Sequence, residues 1–246
     1  MNLPANPSDA LNDFRQQFVE FAIRQNALCY GEFKTKAGRL SPYFFNSGLF
    51  SDGASLAALG RFYARAILAS GLEIDTLFGP AYKGITLASG LAIDTLFGPA
   101  YKGITLAAAT AMALAEMGHN LPFCFNRKEA KAHGEGGLIV GAPLKGNVLI
   151  IDDVITDGAS KRESVEMIRA AGATPVGVLI ALDRQELGAK PGATLSAAQE
   201  FNQMYGVPVI AVATLTDILA YLLHRGGESD KLSEIEAYRR TYGVDS

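Results

Sequence analysis

Two adjacent carboxylates, Asp152 and Asp153, stand where an apolar run of four residues (148–151) gives way to a polar turn. The run is long enough for a buried parallel strand, and a helical pattern follows the turn. The N–H groups and dipole at such a helix start attract an anion such as a phosphate. Carboxylates beside it are better suited to sugar hydroxyls or a metal. The segment therefore predicts a sugar-phosphate site, although an Asx turn that caps the helix explains the same pattern.

A second group of candidate residues is cationic and lies in a glycine-rich segment, 126–137. Four of its side chains can carry positive charge: Arg127, Lys128, Lys131 and His133. The glycines give the segment conformational freedom. A mobile cationic loop suits a leaving group whose negative charge grows as a bond breaks, such as pyrophosphate. A solvated surface loop has the same composition, so both interpretations stay open.

The length of the chain suits one large α/β domain, or one domain with a small extension. The chain has 246 residues, 49% of them hydrophobic, and a net charge of −3, which favours neither nucleic acid nor an anionic membrane as a partner. Its two cysteines, Cys29 and Cys124, have no CxxC spacing, so neither a disulfide framework nor a zinc site is predicted. The longest apolar run, 104–115, is too short to span a bilayer, and the N-terminus has no signal-peptide pattern. We therefore expect a soluble, cytoplasmic protein.

The hydrophobic pattern divides the chain into three parts. Residues 1–8 predict a flexible tail, 9–54 an N-terminal helix and a hood of two short strands around the Ala37-Gly38 turn, and 55–246 the core. Strand-like and helix-like segments alternate in the core, which predicts a central, mostly parallel sheet flanked by helices. The later strands are predicted at 121–125, 148–151, 176–182 and 208–213, and the helices at 55–69, 104–117, 160–171, 196–205, 215–224 and 231–241.

An internal duplication interrupts this pattern. Residues 70–88 and 89–107 are the same nineteen residues except for Glu73 in the first copy and Ala92 in the second. Two copies are too few for a solenoid. We expect the second copy to occupy the sheet, because it continues directly into the helix at 104–117, and the first copy to be looped out at roughly 1.5 kcal/mol of closure entropy. Two alternatives stay open: the first copy occupies the sheet, or both copies form strands.

Five segments, in this order along the chain, resemble the motifs of the orotate phosphoribosyltransferase family, a family of type I phosphoribosyltransferases. They are SPYFFNSG (41–48), FGPAYKGI (97–104, also 78–85), FNRKEAKAHGEGG (125–137), VLIIDDVITDGASKRE (148–163) and ALDRQE (181–186). A single segment is a weak signal, whereas the ordered set is specific and extends over nearly the whole chain. The chain contains no GxxxxGK[ST] loop, which excludes the phosphate site of P-loop proteins.

The resemblance implies a fold, a reaction and partners. The fold is the type I phosphoribosyltransferase fold with a hood. The reaction converts orotate and 5-phosphoribosyl 1-pyrophosphate (PRPP) into orotidine 5′-monophosphate and pyrophosphate in pyrimidine biosynthesis. The family also implies Mg²⁺ bound mainly through PRPP rather than by protein alone. A homodimer is implied as well, with the loop at 126–137 shared between subunits.

By the same resemblance, five residues contact orotate: Lys36, Phe44, Phe45, Thr156 and Arg184. The aromatic pair flanks the ring. Arg184 suits the carboxylate, because a planar guanidinium can donate to two oxygens at once. Plain core packing is an ordinary alternative for a phenylalanine and could describe one of the pair.

The resemblance assigns fifteen residues to PRPP: Tyr101, Lys102, Arg127, Lys128, Lys131, His133, Asp152, Asp153, Val154, Ile155, Thr156, Asp157, Gly158, Ala159 and Ser160. If the first copy of the duplication is used, Tyr82 and Lys83 replace Tyr101 and Lys102. The tyrosine and lysine hold pyrophosphate, the two aspartates hold ribose hydroxyls, and 156–160 cradle the 5′-phosphate. The implied catalytic residues are Lys102, Lys131, His133 and Asp153. We rank His133 as a binder before a general acid, because its cationic neighbours favour the neutral form.

The phosphate turn departs from the family pattern. The family usually has TAGTA where this chain has TDGAS at 156–160, and Lys161 replaces a commonly apolar residue. A carboxylate about 6 Å from a phosphate dianion, at an effective dielectric of about 40, opposes binding by on the order of 3 kcal/mol. We therefore expect Asp157 to weaken or abolish PRPP binding, with partial compensation by Ser160 or Lys161. A non-catalytic PRPP-binding regulator and an inactive variant on the same fold are the alternatives to a working enzyme.

Overall fold

The computed structural model of the chain describes residues 7–35, 37–71, 76–78, 95–97, 102–131, 137–155, 159–190 and 192–244. The helices are α1 (Pro7–Arg24), α2 (Gly53–Ser70), α3 (Lys102–Glu116), α4 (Ala159–Ala170), α5 (Ala197–Tyr205), α6 (Leu215–Arg225) and α7 (Ser229–Tyr242). The strands are β1 (Leu28–Lys34), β2 (Leu40–Phe45), β3 (Thr76–Phe78), β4 (Thr95–Phe97), β5 (Phe123–Lys131), β6 (Gly137–Gly141), β7 (Asn147–Ile151), β8 (Thr174–Asp183) and β9 (Val209–Thr214). None of the described helices is long and apolar enough to cross a membrane.

A seven-stranded sheet forms the centre of the protein, in the order β6-β5-β3-β4-β7-β8-β9. The β5–β6 pair is antiparallel, whereas β7, β8 and β9 run parallel to one another. Strand β7 is buried on both faces because its side chains alternate between two hydrophobic clusters. Leu149 and Ile151 pack with α1, α2 and α3, and Val148 and Ile150 pack with α4 and α5. The predicted α/β architecture with a mostly parallel sheet is confirmed.

The hood is the antiparallel β1–β2 hairpin, paired from Leu28↔Phe45 to Lys34↔Leu40. This confirms the predicted pair of short strands on either side of the Ala37-Gly38 turn. Gly38 has a φ of 78°, a left-handed conformation that glycine adopts without strain. Aromatic contacts anchor the segment after the hairpin to α1, since the Phe21 and Phe50 rings stack with centroids 5.1 Å apart.

The predicted loop at 126–137 is partly a strand. Strand β5 continues to Lys131, and β6 begins at Gly137 and pairs with it. The sequence prediction was wrong for 126–131, because it relied on the charged residues of this segment and did not consider the apolar residues that follow it in β6. Ile139 in β6 packs against the same hydrophobic cluster as Phe125 in β5, which holds the hairpin onto the core. The register shifts between Asn126 and Lys131, at the beginning of the cationic stretch.

Each copy of the duplicated segment contributes a three-residue strand. Strand β3 comes from the first copy and β4 from the second, and they are parallel and in register at Leu77↔Leu96. Both strands also pair with the same two neighbours, β5 and β7. Both copies therefore supply a strand to the sheet, which is the third arrangement considered from the sequence. The pairing does not choose between them, so occupancy by the second copy stays a prediction.

Deleting either copy is expected to stabilise the protein. Variants that lack 70–88 or 89–107 have the same sequence except for Ala92 in one and Glu73 in the other. We expect each to be about 1–2 kcal/mol more stable than the full chain, because the closure entropy of the extra segment is removed. Urea unfolding monitored by circular dichroism measures this difference. A full chain more stable than both deletion variants would show that both strands support the fold together.

A matched pair of substitutions in the full chain identifies the copy that is used. If the second copy occupies the sheet, Leu96→Lys should destabilise by roughly 3 kcal/mol and Leu77→Lys by less than about 0.5 kcal/mol. The opposite ranking would assign the position to the first copy. If each single substitution lowers stability only slightly but the double variant Leu77→Lys/Leu96→Lys is strongly destabilised, either copy can occupy the position in place of the other.

Candidate functional site

The two aspartates lie at the carboxyl end of β7, the edge at which open α/β sheets bind ligands. The Asp152 N–H donates to the Leu179 carbonyl at 2.9 Å, and the Asp153 carbonyl accepts from the Ala181 N–H at 2.9 Å. These backbone bonds to β8 fix where both carboxylates can point. Asp152 is 1% exposed and Asp153 is 4% exposed, so both acids lie at the floor of the site rather than at its mouth.

Asp153 joins the sheet to the hood. One carboxylate oxygen accepts from the Ser47 hydroxyl at 2.7 Å, and the other accepts from the Val154 N–H at 2.9 Å. Ser47 begins a single 3-10 turn (Ser47–Leu49), and the Asn46 side chain caps that turn by accepting from the Gly48 N–H. Ser47 was not among the site residues predicted from the sequence. Its position beside the glycine of SPYFFNSG was the available signal.

Asp152 is paired within the protein. One carboxylate oxygen accepts from the Asp153 N–H at 2.9 Å, and the other forms an ion pair with the Lys161 ammonium. Burial raises the pKa of Asp152 to about 6, while Lys161 opposes the increase and Asp153 adds to it. The buried Tyr63 hydroxyl donates to the Asp152 carbonyl at 2.8 Å. The sequence predicted the place of Asp152 and missed the lysine and tyrosine that hold it.

The phosphate turn itself is described only at its two sides. Val154 and Ile155 follow the aspartates and are partly exposed, and α4 begins at Ala159, one residue before the predicted helix start. Ser160 is the second residue of α4. Thr156, Asp157 and Gly158 lie outside the described residues, so their assignments to PRPP and orotate remain predictions.

The predicted orotate residue Arg184 follows β8 and is held in a polar network. Its Nε donates to Glu186 Oε1 at 2.8 Å, and its Nη2 donates to the Ser41 hydroxyl at 2.9 Å. The guanidinium lies over the Tyr43 ring, 4.4 Å from the centroid. Tyr43 is buried and donates to the same Glu186 oxygen at 3.2 Å. The hood and the segment after β8 therefore position this arginine together.

The two phenylalanines of the hood have different environments. Phe44 is 45% exposed and stacks on Phe33 with ring centroids 5.4 Å apart, so one edge or face remains for a ligand. Phe45 is 8% exposed and lies 6.4 Å from the Phe18 ring within the hydrophobic core. Of the pair, only Phe44 has the exposure needed to flank a substrate ring. Core packing, the alternative considered from sequence, describes Phe45.

Most of the predicted pyrophosphate residues lie at the margins of the described structure. Arg127 lies in β5 and is partly exposed. Lys128 and Lys131 also lie in β5, and Lys102 begins α3, but their side chains are outside the described part. Lys36, Tyr101, His133 and the alternative pair Tyr82 and Lys83 are outside it altogether.

Two concave regions of the described structure bear on the location of the site. A cavity of about 140 Å³ lies between the 3-10 turn and the start of α3, lined among others by Ser47 and Thr105, and therefore adjoins the Asp153 contact. A larger groove of about 330 Å³ lies between α1 and α2 and contains none of the predicted substrate residues. We place the site at the smaller cavity because it adjoins the carboxyl end of β7. Among the described residues, no cluster of three or more His, Cys, Asp or Glu could hold a metal ion.

Several known proteins resemble this chain over most of its length. Residues 90–209 match the family model described as the phosphoribosyl transferase domain. The chain is 57% identical to the orotate phosphoribosyltransferase of Nitrosospira multiformis over 94% of this chain and 92% of that protein. It is also 57% identical to that of Laribacter hongkongensis over 95% of this chain and 100% of that protein. The crystal structure of orotate phosphoribosyltransferase from Francisella tularensis has a TM-score of 0.76 at 36% identity, covering 93% of this chain and 100% of that one.

Proposed function

Because the chain belongs to the orotate phosphoribosyltransferase family, we propose that it transfers the phosphoribosyl group of PRPP to orotate and releases orotidine 5′-monophosphate and pyrophosphate. The observation that carries this proposal is the 57% identity to two relatives of that name over nearly the whole chain. The five ordered motifs support it independently. The reaction is a step of pyrimidine (UMP) biosynthesis, and the enzyme is a pentosyl transferase.

In this proposal orotate lies between the hood and the end of β8. Phe44 faces its ring, and Arg184 binds its carboxylate, oriented by Glu186 and by the Tyr43 ring. Lys36 and Thr156 complete the orotate contacts, an assignment that rests on the resemblance of their motifs to those of the family. The ribose of PRPP lies over Asp152 and Asp153, and the Ser47 hydroxyl holds Asp153 for this purpose. Residues 156–160 receive the 5′-phosphate at the start of α4, because N–H groups at a helix start favour an anion.

The chemistry then follows from charge. The bond between ribose C1 and pyrophosphate loosens first, and positive character develops on the sugar. The orotate nitrogen attacks from the opposite face. Lys102, Lys131 and His133 stabilise the departing pyrophosphate, and closure of the cationic loop excludes the water that would otherwise hydrolyse PRPP. Tyr101, Arg127 and Lys128 bind the same anion.

The described residues do not form a complete ligand set for Mg²⁺. Asp152 already pairs with a cation, and Asp153 is held by a hydroxyl and a backbone N–H. We propose that Mg²⁺ enters with PRPP, coordinated mainly by oxygens of the substrate, as is usual for this ion. The chain's own residues then bind and orient the substrate rather than hold the metal in a cage.

We further propose a cytoplasmic homodimer. The cationic segment at 126–137 closes over the active site of the neighbouring subunit in this arrangement. The β5–β6 hairpin supports the proposal, because it lies at one edge of the sheet, where a second chain can reach it. Mixed dimers of a Lys131→Ala chain and an Asp153→Ala chain test it, since one functional site per dimer forms only if the segment is shared.

A single assay tests the proposed reaction. Orotate, PRPP and Mg²⁺ are mixed with the protein, and the loss of orotate absorbance is followed. Turnover that requires all three supports the enzyme. PRPP binding without turnover would replace it by a non-catalytic PRPP-binding protein, and neither binding nor turnover would identify an inactive variant of the fold. The Asp153→Ala variant is the control for contaminating activity.

A further inference from the structure

Lys161 is a buried lysine that the proposed chemistry leaves unused. It is 5% exposed and lies in the first turn of α4, immediately after the phosphate turn. A lysine is almost never buried to this degree unless its charge is paired. Its ammonium pairs with the Asp152 carboxylate and also donates to the Val154 carbonyl at 2.7 Å. Both partners lie on the other side of the turn from Lys161.

We propose that Lys161 is a positioning residue of the PRPP site, which ties the end of β7 to the start of α4 and keeps Asp152 a carboxylate that can accept from ribose. This inference rests on the proposed function. It adds a specific role for one residue of this chain in binding the sugar phosphate.

The contacts of Asp152 indicate that Lys161 positions this carboxylate and does not block its access to a sugar hydroxyl. A carboxylate has about four lone-pair sites, and the contacts of Asp152 with Lys161 and with the Asp153 N–H use two of them. Acceptor capacity for a sugar hydroxyl therefore remains. Moving the ammonium aside would break its bond to Val154 as well and leave a cation without a partner in a buried place.

The electrostatics point the same way. Asp152 is buried beside Asp153, and both the burial and the second carboxylate disfavour its charge. Lys161 opposes them most strongly, and the Asp153 N–H that donates to Asp152 adds to its effect. Tyr63 also faces this place, but it bonds the backbone carbonyl of Asp152 rather than the carboxylate. Removing Lys161 should therefore raise the pKa of Asp152 further and favour its protonated form, and a protonated carboxyl is a poorer acceptor for a hydroxyl.

The test compares Lys161→Met with Lys161→Arg and with Lys190→Met, which removes one charge from an exposed position. Steady-state KM for PRPP, KM for orotate and kcat are measured from pH 5 to pH 9. At pH 7 we expect Lys161→Met to raise KM for PRPP at least tenfold, with KM for orotate changed less than twofold. The loss should shrink toward pH 9, where Asp152 ionises again. Lys161→Arg and Lys190→Met should resemble the wild type.

The position of the pH midpoint separates positioning from mere structural support. PRPP itself titrates near pH 6 in every variant, as phosphate monoesters do, so the shift between variants is the measurement. Lys161→Met should move the midpoint in KM for PRPP to higher pH, and Lys161→Arg should leave it in place. An unchanged pH midpoint in Lys161→Met would overturn the proposal. Tighter PRPP binding in that variant would also overturn it, because it would show that Lys161 obstructs the site.

Two further measurements keep the result decisive. If Lys161→Met does not fold, the double variant Asp152→Asn/Lys161→Met removes both members of the buried ion pair and should fold. That variant should bind PRPP weakly, and the shift of its pH midpoint should be absent. The carboxyl titration of Asp152, followed by carbon NMR without substrate, should move to higher pH in Lys161→Met. If the wild type fails to bind PRPP but this shift occurs, the proposed function fails while the electrostatic role of Lys161 stands.

Discussion

Replacing Asp157 by alanine is expected to raise the affinity for PRPP by more than a hundredfold. The turn at 156–160 must receive a phosphate dianion, and Asp157 adds a negative charge to that turn. At an assumed separation of about 6 Å and an effective dielectric of about 40, the repulsion is on the order of 3 kcal/mol. The same carboxylate favours the empty start of α4 by about 0.3–1 kcal/mol. Asp157→Ala should therefore bind PRPP more tightly while unfolding slightly more easily.

Isothermal titration of PRPP into the wild type and the variants measures this effect. Asp157→Asn removes the charge and keeps the size of the side chain, so it should recover most of the gain. Glu163→Ala, which removes an exposed carboxylate further along α4, should change the affinity by less than about twofold because water screens it. Equal, micromolar affinities for the wild type and Asp157→Ala would refute the hypothesis that this turn impairs binding.

The sequence was sufficient for the parts of the fold that depend on pattern. The apolar run 148–151 became the buried β7, and a helix begins almost where the polar turn predicted it. Both follow from local chemistry, since a parallel strand needs apolar residues on both faces and a helix start needs a polar turn. The hood strands followed equally from the turn at Gly38.

The parts that were missed depend on contacts between distant residues. Ser47 meets Asp153 across 106 positions of the chain, and no periodicity indicates that contact. Phe44 and Phe45 are chemically identical neighbours, and only the fold decides which one faces outward. The sequence marked Lys161 as a departure from the family pattern, but its contact with Asp152 across the turn depends on the fold. The duplication is a harder case, because two identical segments carry no local information about which one the sheet selects.

Replacing Arg184 by methionine is expected to raise KM for orotate by roughly a hundredfold or more, because removing one partner of a hydrogen-bonded charge pair costs about 2–5 kcal/mol. KM for PRPP should change less than about threefold, since the ribose and phosphate groups are bound elsewhere. The variant should also lose about 1–3 kcal/mol of stability, because the partly buried Glu186 loses its nearer cation and keeps the more distant Arg39, at 3.9 Å. Steady-state kinetics with each substrate varied in turn, together with urea unfolding, give all three values.

The control must separate the loss of a substrate contact from the loss of an ion pair. Arg15 pairs with Asp217 at 3.4 Å between α1 and α6, and neither residue belongs to the predicted site. Arg15→Met should therefore lower stability without changing KM for orotate. If Arg184→Met and Arg15→Met behave alike in the kinetic assay, Arg184 only supports the hood through Ser41 and Glu186, and the orotate carboxylate binds elsewhere. A selective rise in KM for orotate in Arg184→Met, with Arg15→Met unchanged, follows only if the guanidinium that Glu186 orients also contacts the substrate.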